Sequence, residues 1–225
     1  HSTIPRQVGL AGSSAIITAT FKALMKFYNI TIPVEILPTL ILNTEVEELG
    51  INAGLQDRVI QVYGGCVYMD FNQKHLQERN HGRYERLNPD ILNNLYIAYK
   101  TNLSKISGKV LNDIRMRYEN GNEEVIDSLK QIATLAKEGR DMIVKGGISQ
   151  IDELINRNFD LRKKIMNISD HNLSLVKKAR DCGASAKFCG SGGSIIGFYK
   201  DDQMLTKLII EMKKITARVI KPFII

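Results

Sequence analysis

No cysteine framework, histidine cluster or long apolar run organises this chain of 225 residues. Its three cysteines, Cys66, Cys182 and Cys189, lie far apart and form no C-x-x-C pair. That excludes a disulfide scaffold and a structural zinc site, and reads as buried thiols in a reducing cytoplasm. The four histidines, His1, His75, His81 and His171, lack metal-ligand spacing and sit in polar stretches. They read as surface residues, with no catalytic triad among them. No stretch approaches the roughly 18 uninterrupted apolar residues that a membrane span needs. Repeats and low-complexity linkers are missing as well. With 44% apolar and 24% charged residues, disorder is excluded and a core can be buried. The sequence opens His1-Ser2-Thr3-Ile4-Pro5, without Met or a signal-peptide pattern, and reads as part of a longer product.

Acidic residues are the scarcer charge, 24 against 31 basic ones, giving a net charge of +7. Residues 1–58 are nearly balanced, with four basic and five acidic side chains. The excess lies in later helical stretches, through residues such as Lys163, Lys164, Lys213 and Lys214. These lysines alternate with acids and have no aromatic interleaving, so a solvated helical surface explains them better than a nucleic-acid groove.

Apolar periodicity predicts a helix over 15–28, with Ile17, Phe21, Leu24, Met25 and Tyr28 facing inward and a serine as N-cap. A second helix is expected around 34–44. Residues 59–63 end a helix or form a strand, and 67–71 and 94–100 read as strands. From residue 108 the pattern turns helical, over 110–118, 123–144, 148–166 and 172–182. A strand over 194–199, a helix over 203–214 and a strand over 217–225 follow. The fold class is α+β, an antiparallel sheet covered by helices.

Two glycine-rich loops carry the chemistry. Pro5-x-x-x-Gly9-Leu10-Ala11-Gly12-Ser13-Ser14-Ala15 brings small residues to a helix N-terminus, where unpaired N–H groups and the helix dipole suit a polyphosphate. Its hydroxyls can meet phosphate or Mg²⁺. It is neither a Walker A loop nor a G-x-G-x-x-G loop, and by itself a plain capped helix would explain it. The second loop, Gly183 to Gly193, would by itself pass as a glycine hairpin.

Together with Glu45-x-x-x-x-Gly50-x-x-x-Gly54-Leu55-x-Asp57, these loops resemble the three motifs of the GHMP kinases (galactokinase, homoserine kinase, mevalonate kinase and phosphomevalonate kinase), in the same order. The wording is closest to the plant-type glucuronokinase branch over nearly the whole chain. The resemblance implies residues 1–63 as the later portion of an ATP-binding domain and 64–225 as the C-terminal domain. It implies ATP with Mg²⁺ as cofactors, and transfer of a phosphoryl group to the anomeric hydroxyl of D-glucuronate. ATP would lie on Pro5, Gly9, Leu10, Ala11, Gly12, Ser13, Ser14 and Ala15. Ser14 and Glu45 would hold the metal, and Asp57 would act as general base. Gly190, Ser191, Gly192 and Gly193 would close over the substrate. A uronate carboxylate calls for a cation; Arg58 is the first candidate, with Arg6 and Arg162 as others, while Lys187 is a candidate for phosphate. The resemblance also implies a preceding N-terminal segment with the first kinase motif, without which the chain would be nearly inactive. Rival readings are a galactose, arabinose, fucose or heptose kinase of the same superfamily, or a non-enzymatic basic module binding anions or nucleic acid.

Overall fold

The computed structural model describes residues 2–51, 53–100 and 109–224. They form two compact units. One comprises residues 2–4, 11–89 and 224, the other residues 5–10 and 90–223.

The first unit begins with helix α1 (Gly12–Tyr28), followed by α2 (Leu37–Asn43), which passes directly into a single π-helical turn over Thr44–Glu48. Helix α3 (Leu55–Tyr63) comes next, then strand β1 (Cys66–Asp70), helix α4 (Gln73–Arg79) and strand β2 (Arg83–Leu87). The two strands pair antiparallel, with Tyr68 opposite Glu85. Tyr84 sets its ring edge-on to Tyr63 of α3 at 5.4 Å, which ties this ribbon to the preceding helix. The ribbon belongs to the first compact unit.

Helix α1 corrects two expectations. It starts at Gly12, and its N-cap position is Ala11 in the left-handed region (φ 54°), with no side-chain cap. Its inward residues are Ser14 and Thr18, whereas Leu24 and Tyr28 are exposed. Ile16 and Phe27 also face outward, the latter at 77% exposure. The two fully buried residues of α1 are thus polar, while Ile17, Phe21 and Met25 of its expected inner face are partly buried beside them.

The second unit is a four-stranded antiparallel sheet in the order β4-β5-β3-β6: β3 (Leu95–Lys100), β4 (Lys187–Phe188), β5 (Ser194–Phe198) and β6 (Ala217–Ile220). Helices α5 (Lys109–Glu119), α6 (Glu123–Val144), α7 (Ile151–Ile165), α8 (Asp170–Asp181) and α9 (Asp202–Lys214) accompany it. The core joins Tyr96, Phe188 and Ile195 of the sheet to Phe159, Leu175, Leu208 and Met212 of the helices. Inside it the Tyr96 hydroxyl donates to the Ser185 carbonyl at 2.7 Å. Gly197, opposite Tyr96 in register, is where that segment passes closest: a Cβ there would stand 1.8 Å from the Ser185 oxygen. This is the α+β architecture expected, an antiparallel sheet with helices packed on it.

The histidines are less exposed than their polar neighbourhoods imply. His75 and His81 stack edge to face at 5.5 Å, and the His171 Nδ1 lies 3.1 Å from Lys100 Nζ. Burial next to a cation lowers the His171 pKa. His1 lies outside the described residues.

Candidate functional site

In the first unit the functional residues gather where α1 begins. The Ala11 carbonyl accepts the Ser14 hydroxyl at 3.0 Å, the Gln61 side-chain amide at 2.9 Å and the Ala15 N–H at 3.2 Å. Thr18 donates to the Gln61 side-chain oxygen at 3.1 Å, and Lys22 to the Gln61 carbonyl at 3.0 Å. One glutamine on α3 thus fastens the first three turns of α1. Gln61 belongs to none of the motifs, and its only signal is that it lies one turn after Asp57 on the same helix.

Ser13, next in the loop, donates to Glu45 Oε1 at 3.1 Å. Glu45 is fully buried on the π-helical turn. Its second oxygen, Oε2, accepts Nε and NH2 of Arg58, itself buried on α3. Arg58 also donates to the Gly54 carbonyl at 2.9 Å, ahead of the first turn of α3. The two oxygens of Glu45 are therefore divided between a serine and an arginine. Arg58, first candidate for a substrate carboxylate, is engaged inside the protein. Ser13 meets Glu45, while Ser14 turns back to Ala11.

A magnesium ion bound with a nucleotide takes one or two carboxylates and completes its shell with phosphate oxygens and water. Ser13 Oγ beside Glu45 Oε1 fits one corner of such a shell, being two hard oxygens 3.1 Å apart. No group of three or more His, Cys, Asp and Glu side chains able to hold a metal occurs among the described residues.

Asp57 sits in the first turn of α3 with its side chain about half exposed (53%), 3.5 Å from Arg58 NH1. Desolvation raises its pKa above the ordinary aspartate value; Arg58 opposes that rise and Glu45 adds to it. An accessible carboxylate of raised basicity, steadied by a guanidinium, is suited to taking a proton from a hydroxyl.

The second unit holds Pro5, Gly9 and Leu10 together with the C-terminal glycine loop. Gly9 (φ 74°) lies so close to this loop that a Cβ would stand 2.2 Å from the Gly192 oxygen. Gly192 and Gly193 adopt φ 137° and 82°, values that favour glycine. Asn172 of α8 fastens the turn by accepting the Gly193 N–H at 3.1 Å, and Arg162 of α7 donates to the Gly190 carbonyl at 2.7 Å. Lys187, on β4 leading into the loop, donates to the neighbouring Phe188 carbonyl at 3.3 Å.

Comparison with known proteins finds a family match and relatives over most of the chain. Residues 1–65 match the family described as GHMP kinases N terminal domain. The chain is 43% identical over 227 residues to "Probable glucuronokinase 2" of Arabidopsis thaliana, covering 98% of this chain and 62% of that protein. It is 42% identical over 215 residues to "Glucuronokinase 1" of the same plant, covering 93% and 59%. The chain thus spans about three-fifths of the length of these relatives. It is 24% identical over 218 residues to D-glycero-alpha-D-manno-heptose 7-phosphate kinase of Campylobacter jejuni, covering 95% and 64%. Among solved structures, Streptococcus pneumoniae phosphomevalonate kinase in complex with phosphomevalonate and AMPPNP superposes with a TM-score of 0.72 at 17% identity, over 95% of this chain and 68% of that one. A D-glycero-D-manno-heptose 1-phosphate kinase superposes with a TM-score of 0.69 at 16% identity, over 96% and 61%. The matched N-terminal segment, the identity to the two glucuronokinases and the shared fold make the chain similar to the GHMP kinases along nearly its whole length.

Proposed function

We propose that this chain is the larger part of an ATP-dependent sugar kinase that phosphorylates the anomeric hydroxyl of D-glucuronate. The observation that carries the reading is the position of Asp57. It is an accessible carboxylate of raised basicity, on the helix that also anchors the start of α1 through Gln61. The identity to two glucuronokinases over nearly the whole chain supports the substrate.

In this reading the triphosphate lies along Pro5, Gly9, Leu10, Ala11, Gly12, Ser13, Ser14 and Ala15, whose backbone and helix terminus favour anions. Ser14 and Glu45 are the metal residues of the motif, with Ser13 as the hydroxyl beside Glu45. Magnesium would neutralise charge on the transferred phosphoryl group. Asp57 orients and deprotonates the sugar hydroxyl. Gly190, Ser191, Gly192 and Gly193 border the substrate. Residues 1–63 contribute to the ATP-binding domain and 64–225 form the C-terminal domain; a further N-terminal segment completes the enzyme, as the partial span of its relatives supports. Three free cysteines suit a cytoplasmic setting.

A substrate panel tests the proposal. With Mg²⁺ and ATP, phosphorylation of glucuronate should exceed that of galacturonate, galactose, arabinose, fucose and heptoses. Preference for a neutral sugar would replace glucuronate by another substrate of the superfamily.

A further inference from the structure

A uronate differs from the neutral sugars in one group, its carboxylate. Burying a carboxylate demands a cation that no other acid has already neutralised. Arg58 fails that condition, because Glu45 holds it.

Arg162 and Lys187 meet it. Both belong to the second unit, one on α7 and the other on β4. Neither forms an ion pair with a carboxylate among the described residues. Among the described residues each makes one hydrogen bond, to a backbone carbonyl: Arg162 to Gly190 and Lys187 to Phe188. Both are desolvated, and the Arg162 charge acts directly on Lys187 as a like charge. The ionisable neighbour common to both is Cys189, whose thiol burial holds in the neutral form at neutral pH. Two mutually repelling cations, each partly buried and without an anion, are costly to keep unless a ligand supplies the missing charge. One turn before Arg162 on α7, Asn158 has a buried Oδ1 with no hydrogen-bond partner, an acceptor that a sugar hydroxyl would satisfy.

We propose that Arg162 and Lys187 form an anion subsite that takes the carboxylate of the uronate substrate. The proposal rests on the kinase reading above and adds which residues distinguish a uronic acid from a neutral sugar. A guanidinium with free donors, beside an ammonium, suits a planar monoanion. Because Arg162 also holds the Gly190 carbonyl, the subsite is coupled to the glycine loop that borders it.

The test is calorimetric titration of the protein with sodium D-glucuronate, D-glucose and inorganic phosphate, for the wild type, Arg162→Gln, Arg162→Lys and Lys187→Met. Turnover of glucuronate by the wild type and its variants is measured in parallel. Glucuronate should bind and glucose should not. Arg162→Gln and Lys187→Met should each weaken glucuronate binding on the order of a hundredfold, and Arg162→Lys should recover part of the loss. ATP affinity should stay within a few-fold in Lys187→Met, which leaves the Gly190 carbonyl contact in place. The proposal is overturned if the wild type does not bind glucuronate, or if folded variants bind it as the wild type does. It is equally overturned if phosphate competes with glucuronate for the same two residues, which would make the subsite a phosphate site. Wild-type turnover with unchanged binding in the variants would sink the subsite and keep the kinase. Binding that depends on Arg162 and Lys187 without turnover would do the opposite.

Discussion

Arg58 and Glu45, thirteen positions apart, form a buried ion pair in which Nε and NH2 of the arginine converge on one carboxylate oxygen. Breaking such a pair from one side leaves a charge in the interior. Arg58→Met should therefore lower stability by about 3–5 kcal/mol in urea denaturation. Adding Glu45→Gln to that variant should recover much of the loss, because the stranded charge is gone. A loss that stays the same in the double variant would show that Arg58 acts through packing alone.

Asp57→Asn should reduce kcat by about 10²–10⁴-fold, the usual contribution of a general base, while nucleotide binding changes little. The wild-type rate should fall as pH drops through the raised Asp57 pKa, since the protonated acid cannot accept the sugar proton. In Asp57→Asn that acid limb should disappear from the residual rate. An unaltered rate in the variant would remove Asp57 from the chemistry.

Gly9 and Gly121 share a φ of 74°, but only Gly9 faces another backbone. Gly121→Ala, with open space around the added Cβ, should cost about 1 kcal/mol in thermal unfolding. Gly9→Ala meets the Gly192 oxygen, so it must displace the loop as well and should weaken ATP binding at least tenfold. Equal behaviour of the two variants would mean that the contact between the loops is dispensable.

Lys187→Met should raise the melting temperature when no anion is present, since it removes an uncompensated charge of low exposure. Burial and Arg162 hold the Lys187 pKa below its ordinary value, with Cys189 the partner acting in the other direction. The unfolded chain therefore binds more protons at this residue than the folded one. Its contribution opposes folding below the lowered pKa and fades as pH rises toward 10.5. The gap in stability between wild type and Lys187→Met should narrow over that range, as followed by denaturation at several pH values.

The elements with a strong apolar period were legible before any coordinates: α6 spans Glu123–Val144 as its pattern indicates, and β1, β3 and β5 fall within a residue of theirs. Helix α4 and strand β2 were not, because QKHLQER and RYERL are dominated by polar side chains and carry no usable period. The inner side of α1 is only partly apolar for a physical reason: its motif places Ser14 and Thr18 there, hydrogen-bonded, beside Ile17, Phe21 and Met25. Spacing against a known motif brought out Glu45 and Asp57 as a pair. The pairing of Arg58 with Glu45 depends on a π-helical turn that has no sequence signature, and Gln61 acts through hydrogen bonds that only the packing of α3 on α1 creates.

The sequestered phenol of Tyr96 has a practical use. The chain contains no tryptophan, so its near-ultraviolet signal comes from eight tyrosines. The Tyr96 hydroxyl is locked to Ser185 in the core, and burial pushes its ionisation far above that of a free phenol. In an alkaline titration Tyr96 would turn to phenolate only once the sheet gives way. The part of the tyrosinate absorbance change that Tyr96→Phe removes would then serve as an optical clock for opening of the second unit's core.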